Sequence, residues 1–111
     1  LGTAFLATKE SNASDTHKSK LLSEKPFETA LTKVFSGRLA RAINTSFIQE
    51  ASEYAPYPIQ SSFLSPLRNA AKEQNSTDFE AFWAGQPSTV LKYQEAAKLF
   101  KSLIEEIDKL V

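Results

Sequence analysis

Several residue types are missing from this chain of 111 residues or are scarce in it, and each absence excludes a class of structure or function. There is no cysteine, which excludes disulfide bonds and thiolate metal sites and is compatible with a reducing cytoplasm. Neither sign of charge is in excess, because 13 basic residues balance 13 acidic ones, so the basic surface that nucleic acid requires is absent. No apolar run approaches the length of a membrane span, and no signal peptide is visible.

Methionine is also absent, and the first residue is Leu1. Removal of an initiator methionine normally requires a small second residue, which leucine is not. We therefore expect the chain to be part of a longer protein.

The first third of the chain predicts one helix between two short extended segments. Residues 3–7 are apolar, as expected of the end of a buried strand or of the turn after it. Ser14 is a typical helix N-cap, and the helix that it opens is predicted to run to about Ser23. Residues 29–35 show the partial alternation of a short strand, and Gly37 supplies a turn after it.

The remainder predicts four helices, so the fold class is mostly α, with at most one or two short strands. They are expected over residues 39–53, from about Pro66 to Gln74, over 77–85 with a capping box at its start, and from about Ser88 to Leu110.

The last of these helices carries an apolar stripe opposite a charged face. Leu99, Phe100, Leu103 and Ile107 form the stripe. We expect it to pack against other helices of this chain, since four such side chains gain roughly 1.5–3 kcal/mol each on burial.

Few residues carry chemistry of their own. Gly2 and Thr3 could present amide groups and a hydroxyl to a phosphate, or could form an ordinary turn. Arg38 and Arg41 flank a glycine turn, where they could clamp an anion or pair with neighbouring glutamates. His17 is the only histidine, and in a polar helix it is expected to be a solvated residue.

The aromatic residues with polar tips, Tyr54, Tyr57 and Trp83, are expected to serve packing. No carboxylate pair, nucleophile–base arrangement or metal-ligand spacing is present in the sequence.

Four strings in this order resemble the C-terminal part of the bacterial nitronate monooxygenases, once called 2-nitropropane dioxygenases. The strings are Leu1-Gly2-Thr3, Phe35-Ser36-Gly37-Arg38-Leu39-Ala40-Arg41-Ala42-Ile43, Tyr57-Pro58-Ile59 and Trp83-Ala84-Gly85-Gln86. The resemblance covers essentially the whole chain.

This resemblance implies that the parent protein is an α/β, FMN-binding TIM-type barrel. Residues 1–111 would be its C-terminal portion, with the end of the last barrel strand, a helix and a short strand in 1–37 and a helical region in 38–111. The implied reaction oxidises an alkyl nitronate with O2 to a carbonyl compound and nitrite. Neither nucleic acid nor a membrane is expected as a partner, and the protein could form a homo-oligomer. The isolated chain is expected to be inactive and to bind FMN negligibly.

The resemblance also assigns site residues. Leu1, Gly2 and Thr3 match the last part of a Gln-X-Gly-Thr element that contacts the FMN phosphate. The family's catalytic base lies upstream, so no residue of this chain is assigned as catalytic, and His17 and Tyr57 are candidates for the substrate side.

The chain departs from the family pattern at three positions. Ala42 replaces a usual glycine, and Ser61 and Ser65 replace a tyrosine and a lysine near Tyr57, which puts the substrate contacts there in doubt.

Two other functions remain compatible with the sequence. An FMN-dependent enoyl-acyl carrier protein reductase shares the Gly-Thr element. A non-enzymatic helical interaction module would need no cofactor, and a bound flavin spectrum in the parent protein would distinguish it.

Overall fold

A computed structural model describes residues 2–23, 27–86 and 91–111, and in these ranges the chain is helical with one two-stranded sheet. This agrees with the mostly α class that the sequence predicts. The elements in chain order are α1 (Gly2–Leu6), α2 (Asp15–Leu21), β1 (Thr29–Thr32), β2 (Ala40–Ile43), α3 (Ser46–Glu50), α4 (Ile59–Glu73) and α5 (Ala96–Leu110).

The chain divides into two compact units. The first unit combines the two ends of the chain, Leu1–Phe27 and Pro87–Val111, and the second unit is the middle segment, Glu28–Gln86. α1, α2 and α5 belong to the first unit, and both strands with α3 and α4 belong to the second.

The apolar segment at the amino terminus is a helix and not the end of a strand. α1 spans Gly2–Leu6, and the amide of Ala7 donates to the carbonyl of Thr3 at 3.2 Å. The expectation of a strand end, or of the turn after it, over residues 3–7 is therefore wrong. An apolar run this short has too little periodicity to separate strand from helix, and alanine and leucine are good helix formers.

The second helix begins where the sequence predicts. Ser14 is its N-cap, and the Ser14 hydroxyl accepts a hydrogen bond from the amide of His17 at 3.1 Å. The helix ends at Leu21, close to the predicted end, and Leu21 is buried in the first unit.

The last helix begins later than its apolar pattern predicts. The predicted start near Ser88 lies outside the described residues, and residues 91–95 are not helical. Their backbone is held by the amino-terminal segment instead, because the amide of Lys9 donates to the carbonyl of Gln94 at 2.8 Å. The amide of Ala96, the first residue of α5, donates to the Glu10 carboxylate at 3.0 Å. Glu10 thus caps α5 from a distant part of the chain.

Only part of the α5 stripe is covered within the chain. α5 packs against α1, and Leu99 is buried. Phe100 and Ile107, however, are 59% and 58% exposed. The predicted burial of the whole stripe is wrong for this chain, since α1 is a third as long as α5 and can cover only part of its length.

A strand hairpin forms the centre of the second unit. β1 and β2 pair antiparallel, with Thr29 opposite Ile43 and Thr32 opposite Ala40. Gly37 lies in the connection with φ +87°, a left-handed conformation that glycine adopts without strain. The predicted strand is confirmed over Thr29–Thr32, whereas residues 33–35 belong to the connection, and the predicted glycine turn is confirmed.

The segment after this turn differs from its prediction, because a helix was expected over residues 39–53. Its first part is β2, and only the short α3 is helical, with the Thr45 hydroxyl accepting from the amide of Ile48 at 3.4 Å. The apolar residues spaced four apart match a helix face, but pairing with β1 takes up the backbone groups of β2. Long-range pairing therefore overrides the local pattern.

A third segment pairs with the other edge of β2. The amide of Ile43 donates to the carbonyl of Phe82 at 2.8 Å, and the amide of Ala84 donates to the carbonyl of Arg41 at 3.2 Å. Ala42 and Trp83 form a β-bridge between them. The short helix predicted over residues 77–85 is therefore wrong, since its backbone groups are used in sheet pairing.

α4 begins before the proline that was expected to mark its first turn. The carbonyl of Pro56 accepts from the amides of Ile59 and Gln60, at 2.8 and 3.2 Å, and this starts the helix. Pro66 consequently lies inside α4, which makes the predicted start wrong, while the end at Glu73 agrees with the prediction.

One cluster of buried side chains in the second unit is centred on the hairpin turn. Val34, Phe35 and Leu64 are buried together, and the partly buried side chains packed against them are Phe47, Ile48, Ala51 and Ala81. The rings of Phe35 and Phe47 lie 5.7 Å apart, and this contact joins the hairpin turn to α3.

We predict that Gly37→Ala destabilises the second unit by at least about 1–2 kcal/mol, the cost of a left-handed backbone for an L-residue. A Cβ at Gly37 would also lie 2.7 Å from the carbonyl carbon of Pro56 and 2.8 Å from the carbonyl oxygen of Ala55. Urea unfolding followed by the fluorescence of Trp83, the one tryptophan, measures the effect. Gly2→Ala is the matched control, because a Cβ there meets nothing within 4 Å. Equal unfolding midpoints for the two variants would contradict the prediction.

We predict that the stability of the first unit depends on the charge of Glu10. The hydrogen bond from the Ala96 amide, and then that from its own amide, lower the pKa of Glu10 below its ordinary value of 4.5. Because the pKa is lower in the folded state, the contribution to stability is complete above the unfolded-state pKa and is lost as the pH falls through the folded-state pKa.

Glu10→Gln should therefore lower the midpoint of thermal unfolding at neutral pH, and the difference from the parent should vanish in acid. Circular dichroism across this pH range measures it, with NMR titration of the Glu10 carboxyl as a direct check. Glu106→Gln, at the opposite end of α5, is the control, since a negative charge there is not favoured by the helix dipole. A pH-independent difference for Glu10→Gln would refute the role of its charge.

Candidate functional site

The phosphate candidates lie at the start of α1. Leu1 is outside the described residues, whereas Gly2 and Thr3 occupy the first turn of the helix. Gly2 is exposed, and the space that its Cβ would enter is open to 4 Å. Amide groups in the first turn of a helix point outward along its axis, and the open space at this end of α1 lies beside Gly2.

His17 belongs to the same unit but is not the solvated residue that the sequence predicts. It lies in α2 and is only 7% exposed. The polar residues around it in sequence face outward, while the ring faces into the first unit. The polar sequence around His17 could not predict its burial, because burial depends on which segments pack over the helix.

An open groove of about 230 Å³ also lies in the first unit. It is lined by Lys9, Lys92, Tyr93, Gln94, Glu95 and Lys98. Neither the phosphate candidates at the start of α1 nor His17 line this groove, so it is separate from both.

In the second unit, Tyr57 and Arg38 form a stacked pair. The guanidinium carbon of Arg38 lies 3.9 Å from the centre of the Tyr57 ring, which is within cation–π distance. Arg38 is exposed and Tyr57 is about half exposed, so the pair is accessible to solvent. Tyr57 therefore has a role beyond packing. Arg38 makes no ion pair with another described residue.

The backbone beside Tyr57 is held close to the Gly37 turn. A side chain at Gly37 would collide with the carbonyl groups of Ala55 and Pro56 and with the amide of Tyr57. Glycine is needed here for a close approach of two backbone segments as well as for its φ angle.

Gln60 is a residue of this region that the sequence pattern does not single out. It is 3% exposed, and both ends of its amide group are used. The side-chain nitrogen donates to the carbonyl of Val34 at 2.6 Å, and the side-chain oxygen accepts from the amide of Ala55 at 2.7 Å. A glutamine in the first turn of an amphipathic helix gives no sequence signal of burial.

The other polar candidates have structural partners. The Arg41 guanidinium donates to the hydroxyl of Thr29 at 2.9 Å, across the β1–β2 pair. Lys33 lies over the ring of Tyr54, 5.7 Å from its centre. Ser65 donates to the carbonyl of Ser61 within α4 at 3.1 Å. These contacts favour structural roles over an anion clamp by both arginines.

Strings that are far apart in the sequence meet in the second unit. The ring of Phe35 packs edge-on against that of Trp83, with centres 5.5 Å apart. Arg41 pairs through its backbone with Ala84, and Arg38 stacks on Tyr57. The three family-like strings that lie in residues 28–86 are therefore joined by direct contact.

Neither a metal centre nor a membrane span occurs in the described ranges. No group of three histidine or acidic side chains there could hold a metal ion. No helix there combines the length and the apolar character needed to cross a membrane.

Known proteins share the sequence pattern and the backbone fold of this chain. A family model described as nitronate monooxygenase matches residues 1–106. Probable nitronate monooxygenases from Staphylococcus aureus strains JH9 and N315 are each 35% identical over 115 residues, covering 100% of this chain and 32% of the relative. A solved structure of nitroalkane oxidase from Streptomyces ansochromogenes superposes on 98% of this chain with a TM-score of 0.82 and 40% identity, and this chain covers 32% of it.

The names of these relatives, monooxygenase and oxidase, are those of oxidoreductases. The chain belongs to the nitronate monooxygenase family. It spans about a third of the length of the relatives that it matches. The family match confirms the resemblance seen in the sequence, and it does not favour the reductase or the interaction module.

We predict that Arg38 and Tyr57 are energetically coupled by about 0.5–1 kcal/mol, as measured for exposed cation–π pairs. A double-mutant cycle of Arg38→Met and Tyr57→Leu, followed by urea unfolding, isolates this energy. Lys33→Met with Tyr54→Leu is the control, because that pair is more widely separated and should couple less. Additive effects of the Arg38 and Tyr57 substitutions would contradict the prediction.

Proposed function

We propose that this chain is the C-terminal part of an FMN-dependent nitronate monooxygenase, which oxidises alkyl nitronates with O2 to carbonyl compounds and nitrite. The observation that carries the proposal is the meeting of the family strings around Phe35, Trp83, Arg38 and Tyr57 in the second unit. Three strings scattered over the sequence have no local reason to be in contact. Their contacts support inheritance of the family's architecture as well as its residue pattern.

We propose that the start of α1 holds the phosphate of FMN. Gly2 allows a ligand to approach the backbone closely, since the space beside it is open. In this proposal the amides of Gly2 and Thr3 and the Thr3 hydroxyl hold the phosphate, and Leu1 belongs to the same sequence string. The partial positive charge of a helix N-terminus favours the dianion further.

Bound FMN would supply the redox chemistry between the nitronate and O2, and this chain would supply binding and positioning. Tyr57 carries a phenol hydroxyl on a ring fixed by Arg38, so it can orient a polar substrate group. His17 is the second substrate-side candidate, and its burial in the first unit gives its imidazole a fixed orientation. Neither residue is assigned the role of the catalytic base.

The parent protein is proposed to be an α/β TIM-type barrel that operates in the cytoplasm. About two thirds of each matched relative lies outside the region that this chain covers. The barrel strands and the catalytic base would belong to that part. The exposed apolar side chains of α5 agree with a piece that packs on a larger body.

The test is the flavin spectrum and the oxygen consumption of the intact enzyme that carries this chain. The purified enzyme should contain FMN, and O2 uptake should depend on an alkyl nitronate and release nitrite. The isolated 111-residue chain is the comparison and should do neither. An intact enzyme without flavin, or one that reduces an enoyl thioester with a nicotinamide cofactor instead, would overturn the proposal.

We predict that Thr3→Val in the intact enzyme weakens FMN binding about tenfold to a hundredfold, because a hydrogen bond to a charged group contributes roughly 1.5–3 kcal/mol. A bulkier residue at Gly2 should also weaken binding, by blocking close approach of the phosphate. Fluorescence titration of the apoenzyme with FMN measures both. Thr16→Val, at an exposed position of α2, is the matched control. An unchanged dissociation constant for Thr3→Val would remove Thr3 from the site.

A further inference from the structure

We propose that Gln60 is a positioning residue that holds Tyr57 in its stack with Arg38. Its buried amide bridges two backbone segments, at Ala55 and at Val34, and Tyr57 lies between Ala55 and Gln60 in the sequence. The role of this bridge in substrate orientation rests on the proposed function. Its effect on the geometry of Tyr57 does not.

The two hydrogen bonds fix the orientation of the side chain. The carbonyl of Val34 can only accept and the amide of Ala55 can only donate, so an amide group satisfies both in one orientation. An apolar side chain would leave both backbone groups without this partner. A carboxylate would place negative charge against the Val34 carbonyl oxygen in a buried position.

The bridge closes a short loop around Tyr57. Ala55 is tied to the Gln60 side chain, and the carbonyl of Pro56 accepts from the amide of Gln60 at 3.2 Å. Residues 55–60 therefore form a closed ring of contacts. The second anchor, Val34, precedes the turn that carries Arg38.

The same bridge therefore sets both partners of the stack. Tyr57 belongs to the loop that Gln60 closes, and Arg38 belongs to the turn whose start Gln60 holds. Gly37 allows these two backbones to approach closely, but it has no side chain that could tie them together. Close approach without the Gln60 bridge would leave the loop free to move away from the turn.

The first experiment measures the ring-current shift of the Arg38 side-chain resonances by NMR in the whole chain. Tyr57→Leu gives the value without the stack. Gln60→Leu should move the shift toward that value while the amide spectrum of the second unit stays dispersed. Gln49→Leu, at an exposed position of α3, is the matched control and should leave the shift unchanged. Retention of the parent shift in Gln60→Leu would overturn the proposal.

A second variant keeps the test decisive where Gln60→Leu fails to fold. In Gln60→Glu, a neutral carboxylic acid can donate to Val34 and accept from Ala55, whereas the carboxylate cannot donate. Burial against a carbonyl oxygen raises the pKa of the introduced carboxyl. The ring-current shift should therefore be lost at neutral pH and restored in mild acid, and the parent should show no such change. A shift that does not respond to pH in this variant would refute the bridge as the cause.

The third measurement uses the intact enzyme. Gln60→Leu and Tyr57→Leu should lower kcat/KM for an alkyl nitronate by similar amounts, about tenfold to a hundredfold, the cost of misplacing a positioned group. FMN content should not change. If the NMR shifts respond as expected but Tyr57→Leu leaves kcat/KM unchanged, the positioning of Tyr57 stands and its proposed substrate role fails. Loss of activity in Gln60→Leu with an unchanged ring-current shift would mean a structural role only.

Discussion

Most of the second unit depends on the burial of one aromatic ring, that of Phe35, which is 2% exposed. It packs against Phe47 of α3 and edge-on against Trp83. A ring with partners from two distant segments fixes those segments relative to the hairpin turn that carries it. These ring contacts hold the turn, and with it Arg38, against α3 and the Trp83 segment.

Polar contacts then refine what the apolar core places only approximately. Dispersion and burial bring segments together without strong directional preference, whereas hydrogen bonds fix distance and orientation. In the second unit the Gln60 amide forms such directional hydrogen bonds, and in the first unit the Glu10 carboxylate forms one at the start of α5. Each of these side chains binds the backbone of a segment that is distant in the sequence.

The candidate site combines a part that local sequence specifies and a part that it does not. Gly2 and Thr3 are adjacent in the sequence, so the role proposed for them as phosphate donors needs only the right local backbone. The pair of Arg38 and Tyr57 requires that a turn and a loop meet, and the contact of Phe35 with Trp83 requires an extra segment on the edge of β2. Family membership was visible in short strings, but their contacts explain why those strings occur together.

The sequence alone determined the helical class, the cap at Ser14, the first strand, the glycine turn and the family, because caps, turns and short motifs act within a few residues. Tertiary structure decided β2, the strand-like pairing of Trp83 and the late start of α5, since their backbone hydrogen bonds go to distant segments. It also decided that His17 and Gln60 are buried. Burial depends on what packs over a side chain, and the spacing of neighbouring residues in the sequence does not predict that.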